Sequence, residues 1–195
     1  MIPITDDTTI EQAFQAAVRR YGPNPLLMVP VNPGRVYYPE GKTLSYEQAG
    51  QAVAALAALY RQAGYGYPHR IGLLLENRPE HLLHKLAMNS LGICCVPVNP
   101  DYKAGELAYL VDHSKLDLLL VLPSHLSLVQ EALEQAAHQP PVIVPDTFEQ
   151  TLPPAPPTRQ ETAVHARMPA SILYTSGTTG RPKGCVLSHE YELAS

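Results

Sequence analysis

Hydrophobic and polar positions divide this chain into short elements separated by turn signals. Thr8 or Thr9 can cap a first helix, whose Ile10, Phe14, Ala17, Val18 and Tyr21 share one face. Gly22-Pro23 stops it. Leu26 to Val31 and Val36 to Tyr38 read as two short strands about a turn at Asn32-Pro33-Gly34. Ser45 with Gln48 forms a capping box opening a long helix. Its Ala49, Ala52, Val53, Leu56, Ala57, Tyr60 and Ala63 recur at helical spacing up to Gly64.

Downstream, uninterrupted apolar runs alternate with helical patterns. Ile71 to Leu75, Ile93 to Val98, Leu116 to Leu122 and Val142 to Val144 read as strands. Between them lie helices from Pro79 to about Leu91, Ala104 to about Ser114, and Ser124, as the cap, to about Ala137. Strands that are apolar on both sides belong to a sheet covered on both faces. The pattern therefore predicts an α/β fold: an open, doubly wound, mostly parallel sheet. Residues 1–145 form the α/β unit, and 146–168 read as a polar, proline-rich surface link. Residues 169–195 hold a strand, a loop, a second strand and the start of a helix.

Composition narrows the function classes. The chain has 195 residues and a net charge of −4, so a nucleic-acid-binding surface is not expected. No apolar stretch approaches the length of a membrane span, and no basic leader precedes an apolar core, so a cytoplasmic location is expected. Cys94, Cys95 and Cys185 are too few and wrongly spaced for a disulfide framework or a zinc site. Cys94 and Cys95 are neighbours on one strand and should face opposite sides of the sheet. His81 and His84 lie three apart on a predicted helix without placed acidic partners, and read as a partly exposed face rather than a metal site. No Ser-His-Asp or Cys-His arrangement can be argued from spacing.

The chemistry concentrates between two apolar runs, Ile172-Leu173-Tyr174 and Cys185-Val186-Leu187. The connecting loop carries Thr175, Ser176, Gly177, Thr178, Thr179, Gly180 and Lys183. Glycines let backbone N–H groups turn toward a ligand, hydroxyls donate to anionic oxygens, and Lys183 adds a compact positive charge. Such a loop suits a polyphosphate. It is not a Walker A loop, because Arg181-Pro182-Lys183-Gly184 follows Gly180 where that motif needs Lys and then a hydroxyl. A polar hairpin without a ligand is the plainer alternative.

The stretch Tyr174 to Gly184 resembles the phosphate-loop signature of the AMP-forming adenylating enzymes: acyl-CoA synthetases, peptide synthetase adenylation domains and firefly luciferases. Glu76-Asn77-Arg78-Pro79-Glu80, Val96-Pro97-Val98-Asn99-Pro100 and Ser188-His189 fit further blocks of that family, while Pro68-His69-Arg70 departs from its usual Gly-Asp-Arg. The resemblance implies the first part of the large N-terminal domain of an acyl-CoA synthetase-like fold. It implies a ligase that joins a small-molecule carboxylic acid to AMP from ATP with Mg²⁺, then to coenzyme A or a carrier-protein thiol. Thr175, Ser176, Gly177, Thr178, Thr179, Gly180 and Lys183 would hold the phosphates. His189 would lie near the nucleotide or acyl substrate, or cap the next helix. An oligomer is compatible with the sequence. No catalytic residue and no protein metal ligand is identified. The family's adenine, ribose and catalytic-lysine segments follow the phosphate loop, so the chain is expected to be an N-terminal piece that is inactive alone. Two further readings are a short non-catalytic nucleotide-binding or interaction protein and an unrelated strand–loop–strand phosphate binder.

Overall fold

The computed structural model describes residues 2–175 and 182–194. Its centre is a six-stranded sheet in the order β6-β5-β3-β4-β7-β8. The strands are β3 (Arg70–Leu74), β4 (Cys94–Pro97), β5 (Leu118–Val121), β6 (Val142–Ile143), β7 (Pro169–Thr175) and β8 (Lys183–Ser188). Every pairing is parallel except β7 with β8, which is antiparallel. A two-stranded antiparallel sheet stands apart, made of β1 (Pro25–Val29) and β2 (Lys42–Ser45).

Local signals set the first helices. Helix α1 (Ile10–Tyr21) starts at Thr9, whose hydroxyl accepts from the Gln12 N–H while the Gln12 side chain caps Thr9 in return. Helix α2 (Tyr46–Gln62) begins with the same reciprocal pair, Ser45 and Gln48. Each box satisfies two backbone donors that a helix start would otherwise leave open. Helix α3 (Pro79–Asn89) opens on proline, whose missing N–H costs nothing in the first turn. Helices α4 (Ala104–Ser114), α5 (Leu126–Gln135), α6 (Phe148–Thr151) and α7 (His189–Ala194) complete the described set.

The period of two along each strand divides the core. Ile71, Leu73, Cys95, Leu118 and Leu120 pack with residues of α1, α2 and α3 on one face. Leu74, Cys94, Val96, Leu119 and Val121 pack with α4 and α5 on the other. A Cβ on Gly72 would stand 2.5 Å from a Leu119 methyl and 2.8 Å from one of Leu116, so the α4 side closes over bare backbone there.

Cys94 and Cys95 fall in opposite layers, as the strand alternation predicts. All three cysteines are free, and only Cys185 is exposed. Burial pushes the Cys94 thiol up to about 12 and raises Cys95 as well, which keeps both protonated and unreactive. A disulfide reagent should therefore modify Cys185 of the native protein rapidly and the other two only on unfolding. Three fast thiols, or one, would contradict this packing.

Three expectations are corrected. Val36 to Tyr38 is not a strand. Tyr38 sits at φ 47°, a left-handed conformation that breaks an extended run, and Val36 is 95% exposed. The partner of β1 is β2, in the register Leu27↔Leu44 and Met28↔Thr43. The turn at Asn32-Pro33-Gly34 is present, with Gly34 N–H donating to the Asn32 side chain at 3.0 Å, but it sits inside a longer connection. Ser124 does not cap a helix: Pro123–His125 forms a 3-10 turn, and α5 follows without a side-chain cap. Finally, His81 is half-buried, but its neighbour His84 is not on a partly exposed face. His84 is buried, its Nδ1 is 2.9 Å from the Tyr60 hydroxyl, and its ring packs on Phe148. Phe148, from the stretch read as a surface link, is itself part of the core.

Candidate functional site

The sheet creates its own crevice. The β3-to-β4 crossover carries α3 on one face, and the β4-to-β5 crossover carries α4 on the other. The loops leaving β3 and β4 therefore part in opposite directions. In open α/β sheets such a switch point, at the carboxyl ends of the strands, is where ligands bind. Here it is a cleft of about 420 Å³, lined by Glu76, Asn77 and His81 after β3, Pro97 at the end of β4 with Val98 to Pro100 and Tyr102 after it, and Leu173 to Thr175 at the end of β7.

Local structure holds each wall. Glu76 adopts φ +55°, a strained conformation for a residue with a side chain. Its carboxylate is 2.9 Å from His125 Nε2 and 3.9 Å from Arg78 Nε, so the β3–α3 loop is tied from two sides. The Asn99 side chain accepts from the Asp101 N–H at 3.0 Å, a local turn that fixes the start of the β4–α4 loop. The Glu106 carboxylate accepts from the Lys103 N–H at 2.9 Å and starts α4 just beyond it. The Tyr174 hydroxyl is 2.7 Å from His113 Nδ1. His81 contributes an imidazole whose Nδ1 is buried without a hydrogen-bond partner among the described residues. Burial, helped by nearby Lys85, lowers its pKa, so the ring enters the cleft uncharged at neutral pH.

The sequence-predicted site residues divide into three groups. Thr175 lines the cleft, and Lys183 pairs directly with it across the β7–β8 hairpin. Both are exposed. Ser176, Gly177, Thr178, Thr179 and Gly180 lie outside the described residues. His189 is not brought to the cleft. Ser188 pairs with Pro169, six residues before Thr175, which puts His189 roughly 20 Å down the strand at the opposite end of the sheet.

There His189 is fully buried, and its Nδ1 accepts from the Ile10 N–H at 3.3 Å, at the start of α1. Burial pushes its pKa down to about 4, against a smaller opposing pull from Glu192. It joins α7 to α1 as a neutral acceptor. The other cleft residues were visible in the sequence only as the two blocks around Asn77 and Asn99. Their side chains gained a site role only once the switch point brought the two loops together.

The arrangement suits an anionic, multi-oxygen ligand at the hairpin and a less polar body in the cleft. Lys183 supplies charge, Thr175 a hydroxyl, and Asn77 and Asn99 supply amides beside proline and valine walls. Among the described residues no group of three or more His, Cys, Asp or Glu could hold a metal ion. Among the described residues no helix is long and apolar enough to cross a membrane.

The sequence model of the AMP-binding enzyme family, described as "AMP-binding enzyme", matches residues 14–195. Tyrocidine synthase 2 of Brevibacillus parabrevis is 30% identical over 187 residues, covering 94% of this chain and 5% of that protein. Sulfoacetate–CoA ligase of Cupriavidus necator is 28% identical over 159 residues, covering 80% of this chain and 31% of that protein. The chain thus spans less than a third of either relative. Among solved structures, the anthranilate CoA ligase AuaEII in complex with anthranoyl-AMP matches with a TM-score of 0.75 at 19% identity, covering 96% of this chain and 35% of that one. That likeness is one of fold.

Proposed function

We propose that this chain, which belongs to the AMP-binding enzyme family, provides the nucleotide-phosphate site of an ATP-dependent ligase that activates a carboxylic acid as its acyl-adenylate. The observation that carries the reading is the position of the β7–β8 hairpin, whose ends Thr175 and Lys183 face each other at the mouth of the switch-point cleft. In the reaction a carboxylate oxygen attacks the α-phosphorus of ATP. The bond from that phosphorus to the bridging oxygen breaks, and pyrophosphate leaves with the electron pair.

Charge accumulates on the leaving pyrophosphate. A lysine ammonium and oriented hydroxyl and backbone donors stabilise it where water would otherwise have to reorganise. Lys183 and Thr175, with Ser176, Gly177, Thr178, Thr179 and Gly180 of the same loop, are assigned that task. The protein's part is positioning and electrostatics, with no covalent enzyme intermediate.

The acyl-adenylate is then passed to a thiol, with coenzyme A as the proposed acceptor. A thiolate attacks the acyl carbonyl and AMP leaves, forming a thioester. The sulfoacetate–CoA ligase relative supports coenzyme A. The enzyme carrying this chain should catalyse exchange of labelled pyrophosphate into ATP in the presence of its carboxylic acid and without any thiol. Exchange that requires the thiol, or its absence across a broad panel of acids, would contradict the adenylate step. Thioester formation with coenzyme A, followed separately, tests the acceptor.

A further inference from the structure

The cleft assigned to the nucleotide carries one group of the wrong sign. Among the described residues that line it, Glu76 is the single carboxylate. A free carboxylate beside phosphates repels them. The Glu76 side chain is 36% exposed, so the carboxylate is not sealed away from the cleft.

The structure holds this carboxylate from the far side. Its Oε1 accepts from His125 Nε2 at 2.9 Å. His125 belongs to the turn after β5 and does not line the cleft. In the sheet, β5 flanks β3 on one side, while β4 and β7 lie on the other. The contact therefore draws the carboxylate toward β5, away from Thr175 and Lys183 on the β7–β8 hairpin. The imidazole is half-buried, which shields the bond from water. Arg78 Nε, 3.9 Å from Oε2 and without a hydrogen bond, does not replace it. The backbone is turned at the same residue. Glu76 holds φ +55°, a left-handed conformation that a residue with a side chain keeps only where its surroundings enforce it.

We propose that His125 is a positioning residue for the nucleotide: it latches the Glu76 carboxylate toward β5 and keeps that charge out of the path of the phosphates. The inference rests on the assignment of this cleft to ATP. His125 acts through Glu76 and touches no substrate itself. Without the imidazole the carboxylate turns freely at the cleft wall, where incoming phosphates meet it. ATP then binds more weakly, while the step that follows binding, served by the β7–β8 loop, is left alone.

The test is steady-state kinetics of the enzyme carrying this chain, with ATP varied at saturating acid. His125→Phe should raise KM for ATP roughly tenfold over wild type at low ionic strength and change kcat less than about twofold. The penalty is one of charge, so the ratio of variant to wild-type KM should fall severalfold at about 0.5 M salt. Adding Glu76→Gln to His125→Phe should recover most of the loss, since no charge is left to restrain. His125→Ala gives the same test should phenylalanine not fit, because Ser124 and Leu126 on either side are exposed. An unchanged KM in His125→Phe, with Lys183→Ala still impaired, overturns the latch and leaves the phosphate reading standing. Lys183→Ala unimpaired as well would overturn that reading, and the latch with it. A raised KM that salt does not reduce, or that the double variant does not recover, marks a displaced loop and also overturns the proposal.

Discussion

Lys183→Ala is expected to lower kcat/KM for ATP in the enzyme carrying this chain by roughly thirtyfold to a thousandfold. That corresponds to about 2–4 kcal/mol of lost transition-state stabilisation. The lysine is exposed at the hairpin end opposite Thr175, so its removal leaves no cavity and no orphaned buried partner among the described residues. The loss should therefore appear in catalysis and not in stability. Affinity for the carboxylic acid should change little, because the acid meets the α-phosphate and not the leaving pyrophosphate. Lys183→Arg should recover part of the rate, since it keeps the charge but changes its shape and reach. Steady-state kinetics with ATP varied at saturating acid separates these effects. An unchanged kcat/KM for ATP would remove Lys183 from the phosphate site.

Mild acid should destabilise the fold well before its carboxylates titrate. Burial holds His84 at about 3 and His189 at about 4, both below the ordinary value of 6.5. In the unfolded chain both rings take protons as pH falls through 6.5, whereas in the native state they stay neutral. The unfolded state then binds more protons, so stability falls with pH from 6.5 toward 4 and is flat in this respect above 6.5. His84 alone should cost about 2 kcal/mol between pH 7 and pH 5, and His189 adds a cost of the same sign. Urea unfolding at the two pH values measures it, and His84→Gln should flatten the slope. Equal unfolding free energies at pH 7 and pH 5 would show that these rings are not buried as described.

Much of the architecture is written in short-range signals. The threonine cap of α1, the capping box of α2, the proline at the start of α3 and the apolar strand runs have local causes, and each is seen in the structure. What escaped depends on partners far along the chain. The apolar run at Val36 has no strand partner among the described residues, while the polar run Lys42–Ser45 does, because register with β1 decides pairing. His84 looked like a surface residue, because nothing near it in sequence announces that Tyr60 and Phe148 will enclose it.

The site shows the same division. Thr175 and Lys183 could be singled out from loop chemistry alone. That His81 and Asn99 share a cleft with Thr175 follows only from the sheet order, which no spacing reveals. His189 follows the loop closely in sequence, yet the antiparallel return of β8 carries it to the far end of the sheet.

Direct observation of nucleotide on the hairpin tests the central claim most sharply. Backbone and lysine-side-chain NMR of the chain, titrated with ATP plus magnesium and separately with pyrophosphate plus magnesium, reports on individual residues. Both ligands should shift Tyr174, Thr175 and Lys183 together, with ATP also moving Asn99 and Tyr102 in the cleft, and Lys183→Ala should weaken both. Shifts confined to residues away from the β7–β8 hairpin, or none at millimolar ligand, would contradict the assignment of this loop to the phosphates.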